Sequence, residues 1–248
     1  MIKLKTDSEL AQMARAGKLT AQILAHIGSM VKPGVTTWEL DQEAERLCRE
    51  AGAKPAFKGY QGYPYSVCCS TNQQVVHGFP VKIPLNPGDI VSLDFGVVLD
   101  GFYGDTAITV PVGEISPEAL ALLDTTRASL EAGMAVVKPG AHVGDIGAAV
   151  QSKAESVGFS VVRQFVGHGI GRAMHEEPSI PNFGLKGRGP KLRAGMVLAI
   201  EPMVNMGRPE VKILEDGWTA VTMDGKLSAH FEHTVAVTPD GFNILTLP

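Results

Sequence analysis

Two segments of the chain share one pattern of apolar and polar positions. Residues 31–52, VKPGVTTWELDQEAERLCREAG, align with residues 137–158, VKPGAHVGDIGAAVQSKAESVG, so that Leu40 falls on Ile146. In both segments a Pro-Gly turn precedes apolar residues at helical spacing, and a glycine suited to a helix C-cap follows them. The pattern predicts one turn-and-helix unit that is used twice.

A further helix is predicted before each of these segments. Residues 6–9, TDSE, have the capping-box pattern of a helix N-terminus. Ser116 and Pro117 indicate another helix start, with proline at the first helical position. The helices are therefore expected in two pairs.

Strand-like runs after the helices also match in order. VVHGFP around His77 resembles VGHGIG around His168, and PGDIVSLDFG resembles AGMVLAIEPM. Because several matches occur in the same order, we expect a single domain over residues 1–248. Its halves, about 1–113 and 114–248, are expected to be α/β units related by a pseudo-two-fold, with strands meeting in one mixed, mostly antiparallel sheet.

Two acidic residues interrupt an otherwise apolar hairpin. In VSLDFGVVL-DG-FYGDTAITV the Asp-Gly pair is the signal for a two-residue type I′ turn, which sets Leu99 opposite Phe102 and Asp94 opposite Ala107. Asp105 then lies on the same face as Asp94 and diagonal to it, at about 7–8 Å. A β-bulge would shift this register by one residue. Without a bulge, the two carboxylates converge on one point.

The repeat adds two more acids to this point. Glu201 aligns with Asp94, and Glu232 aligns with Asp105, while His168 between glycines offers an imidazole. Four carboxylates inside one sheet would repel one another unless cations neutralised them. An isolated strand carboxylate is usually a solvated or paired residue, but the symmetric set favours two adjacent divalent ions such as Mn, Fe, Co or Zn.

Composition narrows the class of protein. The chain has 248 residues, 44% of them hydrophobic, and a formal net charge of −4, so no basic field argues for nucleic acid. No apolar run reaches membrane-spanning length, and the N-terminal sequence lacks a signal-peptide core. Three cysteines without Cys-x-x-Cys spacing make a poor disulfide or zinc framework. We expect a globular protein of a reducing compartment, the cytoplasm.

FVGHGIGRAMHEEP, around His168 and His175, and LSAHFEHT, around Glu232, closely resemble the methionine aminopeptidases of type I, in metallopeptidase family M24. The resemblance extends over essentially the whole chain. It implies the pita-bread fold, in which helices pack outside a curved, mostly antiparallel sheet. It also implies an enzyme that removes the initiator methionine from nascent proteins when the second residue is small.

The resemblance assigns the metal ligands. They would be Asp94, Asp105, His168, Glu201 and Glu232, with Asp105 and Glu232 bridging two divalent ions (Co, Mn, Fe, Zn or Ni). A metal-bound water or hydroxide would attack the first peptide bond, and Glu201 would help to deprotonate it.

Two further histidines receive roles from the same resemblance. His175 would hydrogen-bond the substrate amide and stabilise the tetrahedral intermediate. His77 would line the cleft near the scissile bond and leaving group, although a structural histidine before a glycine turn is the alternative. The catalytic set is therefore His77, His175 and Glu201.

The resemblance also implies an apolar methionine pocket, since a thioether is recognised by packing and sulfur–aromatic contact. Phe57 stands where a small thiol residue often occurs, and Met174 stands where an aromatic residue is usual, so the pocket shape is expected to differ. Each could instead be ordinary core. The expected pocket residues are Tyr60, Tyr63, Cys68, Met174 and Trp218.

A monovalent cation such as Na or K is also implied by the resemblance. Asn72, Gln74 and Ser228 match positions that bind it, largely through backbone carbonyls.

Alternatives in other functional classes remain open at this point. An X-Pro aminopeptidase or prolidase would share the fold and metals, but such enzymes usually carry an additional N-terminal domain. A non-catalytic binding homologue would have lost metal ligands that are present here. We expect a monomer with no nucleic-acid motif and no membrane contact. The basic loop of residues 185–195 is expected to be solvated, and a ribosome contact is its alternative reading; its cations are Lys186, Arg188, Lys191 and Arg193.

Overall fold

A computed structural model describes all 248 residues and contains the two predicted pairs of helices. They are α1 (Asp7–Met30), α2 (Thr37–Glu50), α3 (Pro117–Ala135) and α4 (Val143–Glu155). Thr6 caps α1 in a capping box with Glu9, and Ser116 caps α3 ahead of Pro117, as the sequence predicts. No helix is both long enough and apolar enough to span a membrane.

The strands are short apart from one hairpin. Their bounds are β1 (Lys54–Pro55), β2 (Val67–Thr71), β3 (Gln74–Val76), β4 (Ile90–Leu99), β5 (Phe102–Pro111), β6 (Ser160–Val161), β7 (Gly167–Gly169), β8 (Glu176–Ile180), β9 (Val197–Ile200), β10 (Met203–Asn205), β11 (Val211–Ile213), β12 (Ala220–Thr222), β13 (Ser228–His230), β14 (His233–Val237) and β15 (Phe242–Ile244). A 3-10 turn, Tyr60–Gly62, lies between β1 and β2.

All strand pairs are antiparallel, but they form four hydrogen-bonded ladders instead of the one sheet expected from the sequence. β4 pairs with β1, β2 and β5 in one ladder, and β15, β14, β9, β7 and β8 form the largest other one. An isolated bridge between Ala107 of β5 and Glu232 joins these two ladders. Continuous strand pairing is thus interrupted between the two ladders, and only this bridge crosses the gap.

The long hairpin of β4 and β5 has the register that the sequence predicts. Leu99 lies opposite Phe102, Asp94 lies opposite Ala107, and the register runs without a bulge. Asp100 and Gly101 have φ values of 52° and 79°, the left-handed conformations that a type I′ turn requires.

Each pair of helices covers its own apolar core. The larger cluster joins α3 and α4 to β9, β10, β13 and β14, and the next joins α1 and α2 to β2 and β4. Helix α1 approaches β5 most closely at Gly104, where an added Cβ would lie 2.8 Å from the backbone of Gly17. The absence of a side chain there lets α1 pack directly behind Asp105. The helices thus support the strands that carry the acids.

Candidate active site

The structure brings the four predicted acids and His168 onto the wall of one cavity of about 320 Å³. Asp94 is on β4, Asp105 is on β5 and His168 is on β7. Glu201 directly follows β9, and Glu232 directly precedes β14. One hairpin and three segments from the second half of the chain therefore present their side chains to one space.

Backbone contacts across the junction of the two ladders fix Asp105 and Glu232. The Glu232 amide donates to the Ala107 carbonyl at 2.9 Å, and the Thr106 hydroxyl donates to the Glu232 carbonyl at 2.6 Å. The Thr234 hydroxyl donates to the Asp105 carbonyl at 2.7 Å. The backbones of the two acids are consequently held in place by a main-chain bond and by two bonds from buried threonine hydroxyls.

His168 is oriented so that one ring nitrogen faces the acids. Its Nδ1 donates to the Gly169 carbonyl at 2.9 Å, which leaves the Nε2 lone pair free. Nε2 lies 3.8 Å from Asp105 Oδ2 and 3.5 Å from Glu201 Oε1. Burial, with a smaller contribution from nearby His175, lowers the pKa of His168 to about 3. A neutral imidazole held by a backbone acceptor is the usual state of a metal-binding histidine.

The acids are buried without partners. Asp94 Oδ1, Asp105 Oδ1 and Glu232 Oε1 are each inaccessible to solvent and form no hydrogen bond. Burial raises the pKa of Asp94 to about 7. It also raises the pKa values of Asp105, Glu201 and Glu232 well above their ordinary range, and repulsion among the acids adds to this. The protein alone does not satisfy these oxygens.

A divalent cation fits this donor set. Ligand atoms of Asp105, His168 and Glu232 all lie within 4.8 Å of one another. Carboxylate oxygens with one imidazole suit hard or borderline divalent ions, and such an ion would supply the missing partners.

His230 is a residue of this region that the sequence analysis missed. Its Nε2 is buried without a hydrogen-bond partner and lies 3.7 Å from Glu201 Oε2. Burial lowers its pKa to about 3, and the charge of His77 contributes. Its position two residues before Glu232 in HFEHT was an available signal, because alternate residues of extended chain face one side.

His175 lies at the mouth of the cavity and contacts Tyr60. The Tyr60 hydroxyl and His175 Nδ1 are 2.7 Å apart, and the rings of His175 and His168 are 4.2 Å apart between centroids. Burial lowers the pKa of His175. In the neutral tautomer whose Nδ1 accepts the tyrosine proton, Nε2 carries an N–H that is free to donate.

His77 follows β3 and lines the same cavity. Its φ of 60° is unusual for a residue other than glycine and stores backbone strain. The ring packs edge-on against Phe165 at 5.3 Å and Trp218 at 6.1 Å between centroids. Burial, with a smaller contribution from His175, lowers the pKa of His77 to about 4. The imidazole is thus held neutral beside the acids.

The predicted pocket residues all line this cavity. Tyr63 and Trp218 pack edge-on at 5.2 Å between ring centroids, and the Tyr63 hydroxyl donates to the Gly78 carbonyl at 2.9 Å. Phe57 and Met174, the two departures from the expected pattern, are both buried in the cavity wall. Gln61 also lines the cavity and carried no sequence signal. The remaining predicted residues in the lining are Tyr60 and Cys68.

Asn72, Gln74 and Ser228, predicted for a monovalent cation, do not line the cavity. The Ser228 amide donates to the Asn72 carbonyl at 2.9 Å, and the Gln74 side chain accepts the Thr71 amide at 2.8 Å. The Asn72 side chain binds Asp89 at 2.8 Å. Because these side chains are engaged, a cation here would depend on backbone carbonyls, and its presence stays a prediction.

Sequence comparisons show which family the chain resembles. The model of metallopeptidase family M24 matches residues 11–239. The chain is 54% identical over 247 residues to a methionine aminopeptidase of Clostridium perfringens, covering 100% of this chain and 99% of that one. Methionine aminopeptidase 1 of Bacillus subtilis is 50% identical over 246 residues, with 99% of each chain covered.

Structural comparisons agree. A crystal structure of methionine aminopeptidase from Rickettsia prowazekii superposes with a TM-score of 0.98 at 46% identity over 100% of both chains. An Xaa-Pro dipeptidase from Bacillus anthracis superposes with a TM-score of 0.79 at 24% identity over 62% of its length, which shows a common fold alone. These superpositions confirm the predicted pita-bread fold.

Proposed function

The chain belongs to metallopeptidase family M24, and we propose that it removes the initiator methionine from nascent proteins whose second residue is small. Its full-length relatives support removal of an N-terminal methionine over the X-Pro alternative. The observation that carries the proposal is a single cavity whose lining combines buried acids that lack partners with apolar and aromatic side chains.

The metal centre is proposed to consist of Asp94, Asp105, His168, Glu201 and Glu232. Asp105, whose carbonyl accepts the Thr234 hydroxyl, and Glu232, whose amide donates to the Ala107 carbonyl, would both help to hold two divalent ions. Such ions polarise the scissile carbonyl and acidify a water molecule. The oxygen-rich set accepts Co, Mn, Fe, Zn or Ni, so availability decides which is used.

The protein groups around this centre are proposed to handle protons and charge. Glu201, whose carboxylate lines the cavity beside the other acids, accepts the proton of the attacking water. His175 donates its Nε2 hydrogen to the carbonyl oxygen as negative charge develops there, and Tyr60 holds the ring tautomer that makes this possible. His77, neutral and fixed beside Trp218, lies on the side of the departing peptide.

The apolar side is proposed to hold the methionine side chain. Tyr60, Tyr63 and Trp218 provide aromatic edges and faces for a thioether. Cys68 stays a neutral thiol because burial raises its pKa. Phe57 and Met174 are both buried in this wall and limit its width.

The biological setting is proposed from surface properties. We propose a cytoplasmic monomer that meets nascent chains near the ribosomal exit, with a monovalent cation at Asn72, Gln74 and Ser228. The basic loop 185–195 is anchored by buried Leu192, and its four cations are exposed and able to meet ribosomal RNA; these are Lys186, Arg188, Lys191 and Arg193.

The test is hydrolysis of Met-Ala-Ser, Met-Leu-Ser and Gly-Pro-Ala by protein that has been stripped with chelator and resupplied with Mn(II) or Co(II). Metal-dependent release of methionine from Met-Ala-Ser, with Met-Leu-Ser resistant, is the expected result. Cleavage of Gly-Pro-Ala alone would indicate an X-Pro aminopeptidase instead. An absence of cleavage with every metal would contradict an enzymatic role.

A further inference from the structure

A buried ion pair lies directly beside His175. Lys5 Nζ contacts Glu176 Oε2 at 2.7 Å, and each side chain is only 6% exposed. Burial alone would raise the pKa of Glu176, but the hydrogen bond and charge of Lys5 hold it below its usual range. Taking two charges out of water is costly, so the pair is weak evidence for stability alone.

The second oxygen of Glu176 organises the turn before His175. Glu176 Oε1 accepts the amide of Arg172 at 3.1 Å and the amide of Ala173 at 3.3 Å. The stem of Lys5 fills the space over Gly171, where an added Cβ would lie 2.6 Å from Lys5 Cε. One carboxylate and one ammonium therefore close the turn of residues 171–176.

This turn is also tied to the framework that carries the acids. The Tyr103 amide of β5 donates to the Gly171 carbonyl at 2.9 Å, two residues from Asp105. The Lys5 amide donates to the Gly195 carbonyl at 2.7 Å, just before β9, which ends at the residue preceding Glu201. Lys5 thus links the turn that carries His175 to the strand that carries Glu201.

We propose that the Lys5–Glu176 pair is a positioning device that holds the His175 imidazole at a fixed height above the acids. Lys5 and Glu176 are positioning residues, since neither lines the cavity. This inference rests on the proposed role of His175. It predicts a loss of turnover without a loss of metal or of methionine binding.

The matched variants are Lys5→Met, Glu176→Gln and Lys5→Arg. Lys5→Met keeps an apolar stem over Gly171 but removes the charge, and Glu176→Gln keeps the shape and the Oε1 acceptor. Because a displacement of about 1 Å can cost about 100-fold in rate, we expect kcat to fall 10- to 100-fold with KM changed less than about twofold. Lys5→Arg should restore most of the rate.

Two controls separate positioning from general weakening. Arg172 is on the same turn as His175, and its Nε contacts Oε1 of Glu9 in α1 at 3.4 Å. Arg172→Gln removes this ion pair at the protein surface and should leave kcat unchanged. Leu122→Ala creates a cavity in the core of α3, and should lower the melting temperature without lowering kcat below that temperature.

The deciding measurement is a double-mutant cycle with His175→Ala. If the pair acts through His175, Lys5→Met or Glu176→Gln will reduce kcat in the parent protein but not in the His175→Ala background. Equal losses in both backgrounds, unchanged kcat in the folded single variants, or loss of bound metal would overturn the inference. Should Lys5→Met not fold, Glu176→Gln alone completes the cycle.

The ¹⁵N signal of the His175 imidazole provides a second readout, which is independent of turnover. It should move in Lys5→Met and stay in Leu122→Ala; an unmoved signal would also overturn the inference. Failure of the proposed function gives a different pattern, since the unmodified protein would then release no methionine. Failure of the His175 role alone would leave His175→Ala fully active.

Discussion

The two sides of the cavity are built in different ways. The acids are on or next to strands, and main-chain hydrogen bonds such as the one from Glu232 to Ala107 hold them. On the opposite side, Tyr60, His175 and Trp218 are on turns that depend on individual side-chain contacts. Buried oxygens of Asp94, Asp105 and Glu232 lack hydrogen-bond partners, whereas Tyr60 and His175 are hydrogen-bonded to each other.

This difference indicates what each side does. The acid side is rigid and electrostatically unsatisfied, so its occupancy by cations should be cooperative and close to all-or-none. The turn side is satisfied and adjustable, so its changes should scale rate and selectivity in graded steps. Comparing variants of the two sides tests the division.

Glu232→Ala should have the largest effect. It removes a carboxylate that we propose helps to hold both ions, so turnover should be abolished and bound metal, measured by elemental analysis after gel filtration, should be lost. Asp100→Asn is the control, because it removes an acid from the exposed hairpin turn, and asparagine tolerates the left-handed φ of 52°. Full metal content in Glu232→Ala would contradict the proposed ligand set.

His175→Ala should have the next largest effect. Loss of one donor to a developing oxyanion costs about 100- to 1,000-fold in kcat, and metal content should be unchanged. Rate constants and metal content measured on the same preparation check this. If His175→Ala lost as much metal as Glu232→Ala, the two sides would not be separable.

The smallest effect concerns stability and pH in chelator-stripped protein. Above about pH 7.5 the histidines are largely neutral whether folded or unfolded, but buried Asp105, Glu201 and Glu232, whose pKa values are raised well above their ordinary range by burial, still bind protons in the folded state that the unfolded chain has released. Stability should therefore fall as the pH rises through this window, by about 1.4 kcal/mol per pH unit for each proton bound.

Below about pH 7.5 the histidines offset this trend. Their pKa values are lowered by burial, so the unfolded chain binds protons that the folded chain does not; they are His77, His168, His175, His230 and His233. Melting temperatures of stripped and Mn(II)-loaded protein between about pH 7.5 and 9 check the prediction. A stripped protein whose melting temperature does not fall, or a loaded protein that falls equally, would contradict it.

Local signals predicted the parts of the fold that depend on neighbours in sequence. The Asp100-Gly101 turn set the register of β4 and β5, and Thr6 and Ser116 set two helix starts. The single continuous sheet was not found, because the short strands pair only in local ladders. Register and capping are short-range properties, whereas the joining of ladders is not.

The acidic part of the candidate site could be predicted from the sequence. The repeat aligns Glu201 with Asp94, and the cost of burying several acids together predicts a shared cation. The Lys5–Glu176 contact could not be predicted in this way, because its residues are separated by 171 positions and each looks like an ordinary surface charge. Metal-ligand roles stay predictions until the variants are measured.

The bridge between Ala107 and Glu232 has a consequence for biosynthesis. A growing chain that has not yet passed position 232 offers an incomplete set of donors, and it also lacks the backbone contacts that align β5 with its partner. Stable loading with metal would then begin only after Glu232 leaves the ribosome. An enzyme that trims newly made proteins would be silent throughout its own translation.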